Sequence, residues 1–286
     1  MATLTTDGIL AVAAALDVQT LPTALAVRPR HTDHGQHAAA RVAAEADLRE
    51  RGVLDPVGDV RDDDLITALF ALARPERQLI ARIHRPGMPA SGPEAAAERN
   101  HAEPAGTPHG PDTLIRFCLV RRGLEHAVAV RTGDELDVRT VWADEDPMTL
   151  ARPLLAVLGP CPPADVPAFS APTTDLQRCL DAAGTDYTAA AYGLGMPQDD
   201  AVTLGLALRQ RHSIAEIVCY SHRDGLAVRS PAAAAVYDTS AGRIIGGGSV
   251  TAADQTWTTL APGSDHRMAQ VIAALVESLP EGRWMP

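Results

Sequence analysis

Three histidines spaced three residues apart are the first residues in this sequence that could do chemistry. They are His31, His34 and His37, and Asp33 lies between the first two. Residues three apart share one face of a helix, and imidazole and carboxylate groups are zinc ligands. This stretch, however, has the composition of a loop that precedes a helix. The sequence therefore favours a surface cluster with weak metal affinity over a built metal site, and we expect no cofactor.

Ser264, Asp265 and His266 are the three residue types of a hydrolase triad. In a working triad these groups come from separate parts of a fold, because contiguous side chains diverge and cannot form the relay. The same residues suit the start of a helix, where Ser264 caps the chain and Asp265 meets the helix dipole. The sequence therefore predicts a capped helix here.

Three successive glycines, Gly246 to Gly248, are followed by Ser249 and could suggest a phosphate-binding loop. Neither a Gly-Lys-Ser/Thr sequence nor a G-x-G-x-x-G motif between a strand and a helix accompanies them. The glycines predict a turn or bulge in a β region. No nucleophile is set beside a base, so we expect a binding protein and not an enzyme. The alternative is a small hydrolase that uses Ser264, or a metal-dependent enzyme that uses the histidines.

The elements around these residues follow one order twice. Near the C-terminus, strand-like stretches lead into an apolar stripe of helical period at Met268, Val271, Ile272, Leu275, Val276 and Leu279. In the first half, strand-like stretches at 114–120, 126–131 and 135–141 precede a second helical stripe at 148–158. We therefore predict an α+β fold made of a pseudo-twofold duplicated unit.

Two stretches rich in proline and glycine divide the chain. Residues 160–172 contain five prolines and mark the predicted boundary between an N-terminal α+β half, 1–160, and a C-terminal α+β half, 161–286. Residues 86–111 are rich in Pro and Gly and predict a long flexible loop between two strands. We expect the two halves to form one compact domain.

Composition narrows the class of function. The 286 residues carry a net charge of −11, which argues against a nucleic-acid partner because binding to phosphates needs clustered cations. The four cysteines form no C-x-x-C pair, and Cys118 and Cys219 lie in apolar strand patterns, as buried thiols of a reducing compartment would. The apolar run 9–16 is too short to span a bilayer, and no signal peptide is evident. We expect a cytoplasmic protein without membrane insertion.

Several sequence stretches resemble the ESX secretion-associated EspG family of actinobacteria. The strongest are in the C-terminal part: VYDTSAGRI at 236–244, WTTLAPGS at 257–264 and LPEGRW at 279–284. Others occur in family order over almost the whole chain: LAVRPR at 25–30, RGVLD at 51–55, ARPER at 73–77, LVRRG at 119–123 and AEIV at 215–218.

The resemblance implies a cytosolic chaperone of type VII secretion. Such a chaperone binds PE–PPE heterodimers at the helical tip of the PPE subunit, keeps them soluble and directs them to their secretion system. The family fold it implies is α+β, with a central antiparallel sheet and helical bundles. An alternative function is that of an adaptor that docks on the secretion ATPase. The sequence is also compatible with a homodimer.

The resemblance also points to a contact surface. In the family this surface is the central sheet with the C-terminal helical bundle, which corresponds here to strands 214–220 and 255–260 and the helices of the second half. One side of the first strand carries Ile217 and Cys219, and the other side carries Val218 and Tyr220. The predicted partner-binding residues are Ile217, Cys219, Tyr220, Trp257 and Thr259. Trp257 is the candidate aromatic anchor of the interface. Alternatively, it is a core residue between the sheet and the final helix.

Overall fold

The computed structural model describes residues 2–87, 112–182, 184, 186–251 and 255–286. The predicted flexible loop, 86–111, lies outside these residues except for Pro86 and Gly87. The helices in the described ranges are α1 (Thr6–Ala15), α2 (His34–Glu50), α3 (Asp63–Ala73), α4 (Pro147–Leu158), α5 (Thr173–Ala182), α6 (Tyr187–Gly193), α7 (Gln198–Arg209) and α8 (Asp265–Glu277), with a 3₁₀ turn at Thr23–Leu25. The strands are β1 (Ala2–Thr5), β2 (Arg77–Arg85), β3 (Thr113–Arg122), β4 (Glu125–Thr132), β5 (Glu135–Thr140), β6 (Phe169–Pro172), β7 (Arg211–Arg223), β8 (Leu226–Arg229), β9 (Ala234–Thr239), β10 (Gly242–Val250) and β11 (Thr256–Pro262).

All eleven strands belong to one antiparallel sheet. Its order is β1-β5-β4-β3-β2-β7-β9-β10-β11-β6, and β8 pairs with β7 beside this path. The two halves of the chain meet at β2 and β7, where Ile80 lies opposite Val218. Outward from this pair, each half continues with three more strands and a short edge strand. The predicted pseudo-twofold α+β fold is confirmed, and the proposed division at residue 160 falls between α4 and β6.

The two faces of the sheet are covered differently. On one face, which we call the helix-pair face, α4 and α8 pack against each other and against the middle of the sheet. Their core contains residues of both halves, among them Leu79, Phe117, Leu154, Ile217, Ile245 and Ile272. Burying such aliphatic side chains stabilises the fold by about 1.5–3 kcal/mol each. This shared core joins the two halves.

On the opposite face, which we call the bundle face, each half keeps its own helices. Helices α1 to α3 form a core with β3, β4 and β5. Helices α5 to α7 form a separate core with the outer strands of the second half. No shared apolar cluster joins these two bundles in the described part of the chain.

Local signals at the helix starts agree with the structure. The N-terminal residue of α1 follows Thr5, whose hydroxyl accepts a hydrogen bond from the Gly8 amide at 3.1 Å. Asp62 caps α3 through the Leu65 amide, and Ser264 caps α8 through the Arg267 amide. The predicted Ser264 cap is confirmed. At all three helix starts a side-chain acceptor satisfies an amide that has no partner within the helix.

The glycine run was predicted wrongly. Gly246, Gly247 and Gly248 form no turn but lie inside the continuous strand β10. A Cβ atom at Gly247 would lie 2.8 Å from a methyl group of Val271 on α8, and one at Gly248 would lie 2.8 Å from Ala232. Close packing on both faces therefore requires glycine here.

Two further corrections concern element boundaries. The edge strands β1 and β6 were missed, because both are four residues long and β6 lies in the stretch read as a proline-rich connection. Helix α2 begins at His34 with Asp33 as its cap, so His34 and His37 are helical and do not precede the helix.

Candidate partner-binding site

No helix of the described residues covers the middle of the bundle face. In the middle of β2 and β7, the side chains that point to the helix-pair face are fully buried, as at Leu79 and Ile217. Apart from the buried Gln78, those that point to the bundle face are half-buried or exposed. We call this set the central floor: Ile80, Arg82, Ile214, Glu216, Val218 and Tyr220.

The central floor has an apolar centre with polar neighbours. Ile80 and Val218 lie directly opposite each other on β2 and β7 and are half-buried. Two residues along, Arg82 lies opposite Glu216, and both side chains are exposed. Directly opposed residues on one sheet face are about 5 Å apart, so these four form one contiguous surface. Such a surface suits a partner with apolar side chains and some charge.

The buried side-chain amide of Gln78 lies at the Tyr220 end of the central floor. Gln78 lies opposite Tyr220, and its side-chain carbonyl is 2.9 Å from Nε2 of His222. The rings of Tyr220 and His222 lie 6.3 Å apart. Burial, and then the charge of Arg77, lowers the pKa of His222, which favours the neutral ring. The Tyr220 ring therefore lies beside an uncharged imidazole.

The predicted contact residues fall on opposite faces. Ile217 and Cys219 are 0% exposed and lie in the core beneath α8. Burial raises the pKa of the Cys219 thiol, so it stays protonated. Of the two alternatives for this strand, Val218 and Tyr220 therefore form the accessible side.

Trp257 and Thr259 also lie away from the central floor. Thr259 is opposite Gly247, which faces Val271 of α8, so both β11 residues point to the helix-pair face. Trp257 is half-buried and donates from Nε1 to the Gln255 side chain at 3.2 Å. Thr259 pairs with the Ser170 hydroxyl at 2.8 Å. Of the five predicted residues, only Tyr220 belongs to the central floor.

The β2 side of the floor was missing from the sequence prediction. Ile80 and Arg82 alternate with buried Leu79, Ala81 and Ile83. That alternation was a usable signal, because a strand with one buried face must expose the other wherever no helix covers it.

The other candidate chemistries have structural explanations. The Ser264 hydroxyl is engaged as the α8 cap, and Asp265 and His266 are exposed. The histidines of the first cluster are near the start of α2, where Asp33 accepts from the Gln36 amide at 2.9 Å. Within the described ranges, no three His, Cys, Asp or Glu side chains are placed to hold a metal ion. No helix there has the length and apolar character needed to cross a bilayer.

An antiparallel sheet with an apolar-centred face between two helical bundles has the form of a surface that suits a protein partner. Comparison with known families makes the class specific. Residues 5–274 match the family model described as the EspG family, so the chain belongs to that family.

Relatives in the family are similar over nearly the whole chain. ESX-1 secretion-associated protein EspG1 of Mycobacterium tuberculosis is 26% identical, covering 98% of this chain and 88% of the relative. ESX-3 secretion-associated protein EspG3 of Mycolicibacterium smegmatis is 28% identical over 99% of this chain and 88% of its own length. Among solved structures, the M. tuberculosis type VII secretion chaperone EspG5, in complex with the PE25-PPE41 dimer, has the same fold. Its TM-score is 0.74 at 21% identity, with 99% of this chain and 98% of that chain covered.

Proposed function

We propose that this protein is a non-enzymatic chaperone of type VII (ESX) secretion that acts in the cytoplasm. It binds a PE–PPE heterodimer at the helical tip of the PPE subunit, keeps it soluble and directs it to its secretion system. Family membership supports this role, as does the fold shared with a chaperone whose structure contains a PE25-PPE41 dimer. The buried free thiols of Cys118 and Cys219 suit a reducing compartment.

The observation that carries the proposal is the central floor, which no helix of the described residues covers. Its centre is aliphatic at Ile80 and Val218. A helical tip with exposed apolar side chains would cover this centre and remove it from water, which stabilises the complex by about 25 cal/mol per Å². Both partners then lose a surface that would otherwise aggregate.

The C-terminal bundle supplies a second part of the proposed surface. Helices α6 and α7 expose Tyr192, Val202 and Leu206. Val202 and Leu206 are four residues apart, so they form one apolar ridge on α7. Together with Tyr220 on the floor, these residues have the aromatic and aliphatic character of interface anchors. We assign no direct contact to Ile217, Cys219, Trp257 or Thr259, which face the other side of the sheet.

The test is co-expression with each PE–PPE pair encoded in the same genome, followed by affinity pull-down and size exclusion. We expect one pair to form a stable complex with one copy of each chain. Val218→Asn should weaken that complex at least tenfold, because it puts an amide at the apolar centre. Leu124→Asn is the matched control, since Leu124 is an exposed aliphatic residue in the β3–β4 turn, outside the floor. Failure of every pair to bind the unmodified chain would refute the chaperone role.

A further inference from the structure

Three arginines lie side by side at one level of the bundle face. Arg82 on β2 is opposite Arg116 on β3, and Arg116 is opposite Arg131 on β4. Like charges directly opposite each other on a sheet destabilise the pairing. A row of three cations in a chain with a net charge of −11 therefore needs an explanation. We call these residues the arginine row.

Two members of the row have a structural role. Arg116 donates to the carbonyl oxygen of Ala24 at 3.2 Å, and Arg131 donates to the carbonyl oxygens of Leu25 and Ala26. They hold the 3₁₀ turn Thr23–Leu25 against the sheet. Carbonyl oxygens satisfy the donors but do not neutralise the charge. Burial, and then the charges of Arg82 and Arg131, lowers the pKa of Arg116.

Arg82 has no such role. It is exposed on the central floor and makes no hydrogen bond or ion pair with any residue that the structure describes. Glu216 is opposite it on β7, but the two form no ion pair among the described residues. Two other carboxylates at this end of the sheet are already engaged. Asp112 lies 3.2 Å from His84, and Asp134 lies 2.9 Å from Arg30.

The position of Arg82 beside the apolar centre gives it access to a docked partner. Residues two apart on a strand share a face and lie about 7 Å apart, so Arg82 is next to Ile80. A guanidinium group tolerates apolar neighbours and binds a carboxylate through two parallel hydrogen bonds. Once a partner covers Ile80 and Val218, water is excluded and an ion pair beside them becomes stronger.

We propose that Arg82 is a specificity-determining residue that binds an Asp or Glu side chain of the bound PE–PPE heterodimer. This inference rests on the proposed function. The carboxylate lies next to the partner's apolar residues and gives Arg82 the ion pair that it lacks among the described residues. A pair whose tip lacks an acidic residue at this place is rejected, because the buried guanidinium would then lose its water without gaining a counter-charge.

The experiment uses the full chain and the pair that the co-expression screen identifies. Dissociation constants are measured by calorimetric titration at low and high salt for the unmodified chain, Arg82→Gln and Arg82→Glu. We expect Arg82→Gln to weaken binding about tenfold and Arg82→Glu about a hundredfold, as for other desolvated charge pairs. The salt dependence should be smaller for Arg82→Gln. Arg152→Gln is the control, since Arg152 is an exposed arginine on α4, and it should bind within about twofold of the unmodified chain.

A charge exchange makes the test specific. One Asp or Glu on the PPE tip, changed to Arg, should restore binding to the Arg82→Glu chain at least tenfold, and no acidic residue elsewhere on the partner should do so. Thermal unfolding of each variant checks that the fold is intact. If Val218→Asn weakens binding but Arg82→Gln stays within twofold, the inference is wrong and the proposed function stands. If a pair binds but neither variant changes binding, the central floor is not the contact surface and the inference is wrong, whereas the chaperone role stands. If no pair binds the unmodified chain, both the inference and the proposed function fail.

Discussion

Equivalent positions in the two halves carry different charges. The β3–β4 turn pair Arg122 and Glu125 corresponds to Thr239 and Gly242 at the β9–β10 turn. The next pair inward is Arg121 with His126 in the first half and Asp238 with Arg243 in the second. The first-half pair lies near the chain that follows α8, and the second-half pair lies near the chain that follows α4. Each half of the sheet therefore has polar residues at this end, but their charges differ. We call these two sets the first-half row and the second-half row.

The second-half row is neutral within itself. Arg243 is 1% exposed and makes two hydrogen bonds to the Asp238 carboxylate, at 2.6 and 2.9 Å. It also donates to the carbonyl oxygen of Gly159, just after α4, at 3.0 Å. A buried guanidinium with a bidentate carboxylate and a third acceptor is a satisfied ion pair.

The first-half row has its counter-charges at the surface. Arg121 pairs with Glu76, and the neighbouring Arg77 pairs with Glu281, both at 2.9 Å, but the two carboxylates are nearly half exposed. His126 stacks on Trp284 with ring centres 6.4 Å apart. The Nε2 atom of His126 and the Nε1 atom of Trp284 are buried without a partner among the described residues. This row therefore depends on the C-terminal segment and, through His126, on pH.

The largest expected effect comes from breaking the neutral row. Asp238→Ala leaves the Arg243 guanidinium buried without a counter-charge, which costs about 3–5 kcal/mol of unfolding free energy. Urea denaturation followed by circular dichroism measures this. Asp165→Ala, at an exposed aspartate, should change stability by less than about 0.5 kcal/mol. A cost below about 1 kcal/mol for Asp238→Ala would mean that the two rows do not differ in this way.

A smaller effect should distinguish the rows by pH. Burial, and then the charge of Arg121, lowers the pKa of His126 below its ordinary value of 6.5, against weaker opposite effects of Glu125 and Asp144. Below pH 6.5 the unfolded chain binds a proton that the folded chain does not, so stability falls as pH falls toward the folded pKa and is unchanged above 6.5. The slope is at most about 1.4 kcal/mol per pH unit. We expect a loss on the order of 1 kcal/mol between pH 7 and pH 5.5.

Substitution of each histidine shows how much of this pH dependence of stability the histidine causes. His126→Gln is neutral at every pH and should remove its share of the pH dependence. His222→Gln should remove a separate share, since burial and Arg77 also lower the pKa of His222. Denaturation at several pH values gives both shares. An unchanged slope in the His126→Gln variant would show that the first-half row is not the pH-sensitive one.

Sequence reasoning succeeded where the signal was local. The caps at Thr5, Asp62 and Ser264 and the apolar stripe of α8 follow from short-range chemistry, so both the helices and the duplicated order could be predicted. The face on which Ile217 lies could not, because it depends on which helices cover the sheet, and this is a tertiary property. The prediction of a turn or bulge at the β10 glycines was wrong for the same reason, since only the packing of Val271 explains Gly247.

The smallest predicted effect tests whether the surface counter-charges matter. Glu281 contacts Arg77 at 2.9 Å and Arg223 at 2.8 Å, and its side chain is 42% exposed. Water and salt screen such a pair, so Glu281→Gln should cost no more than about 1 kcal/mol, and less at high salt. The carbonyl oxygens of Pro280 and Arg283 still accept from Arg77 at 3.4 and 3.1 Å and keep the segment in place. A cost near that of Asp238→Ala would show that the first-half row needs its counter-charge as much as the second-half row does. The two halves would then differ only in the geometry of their ion pairs.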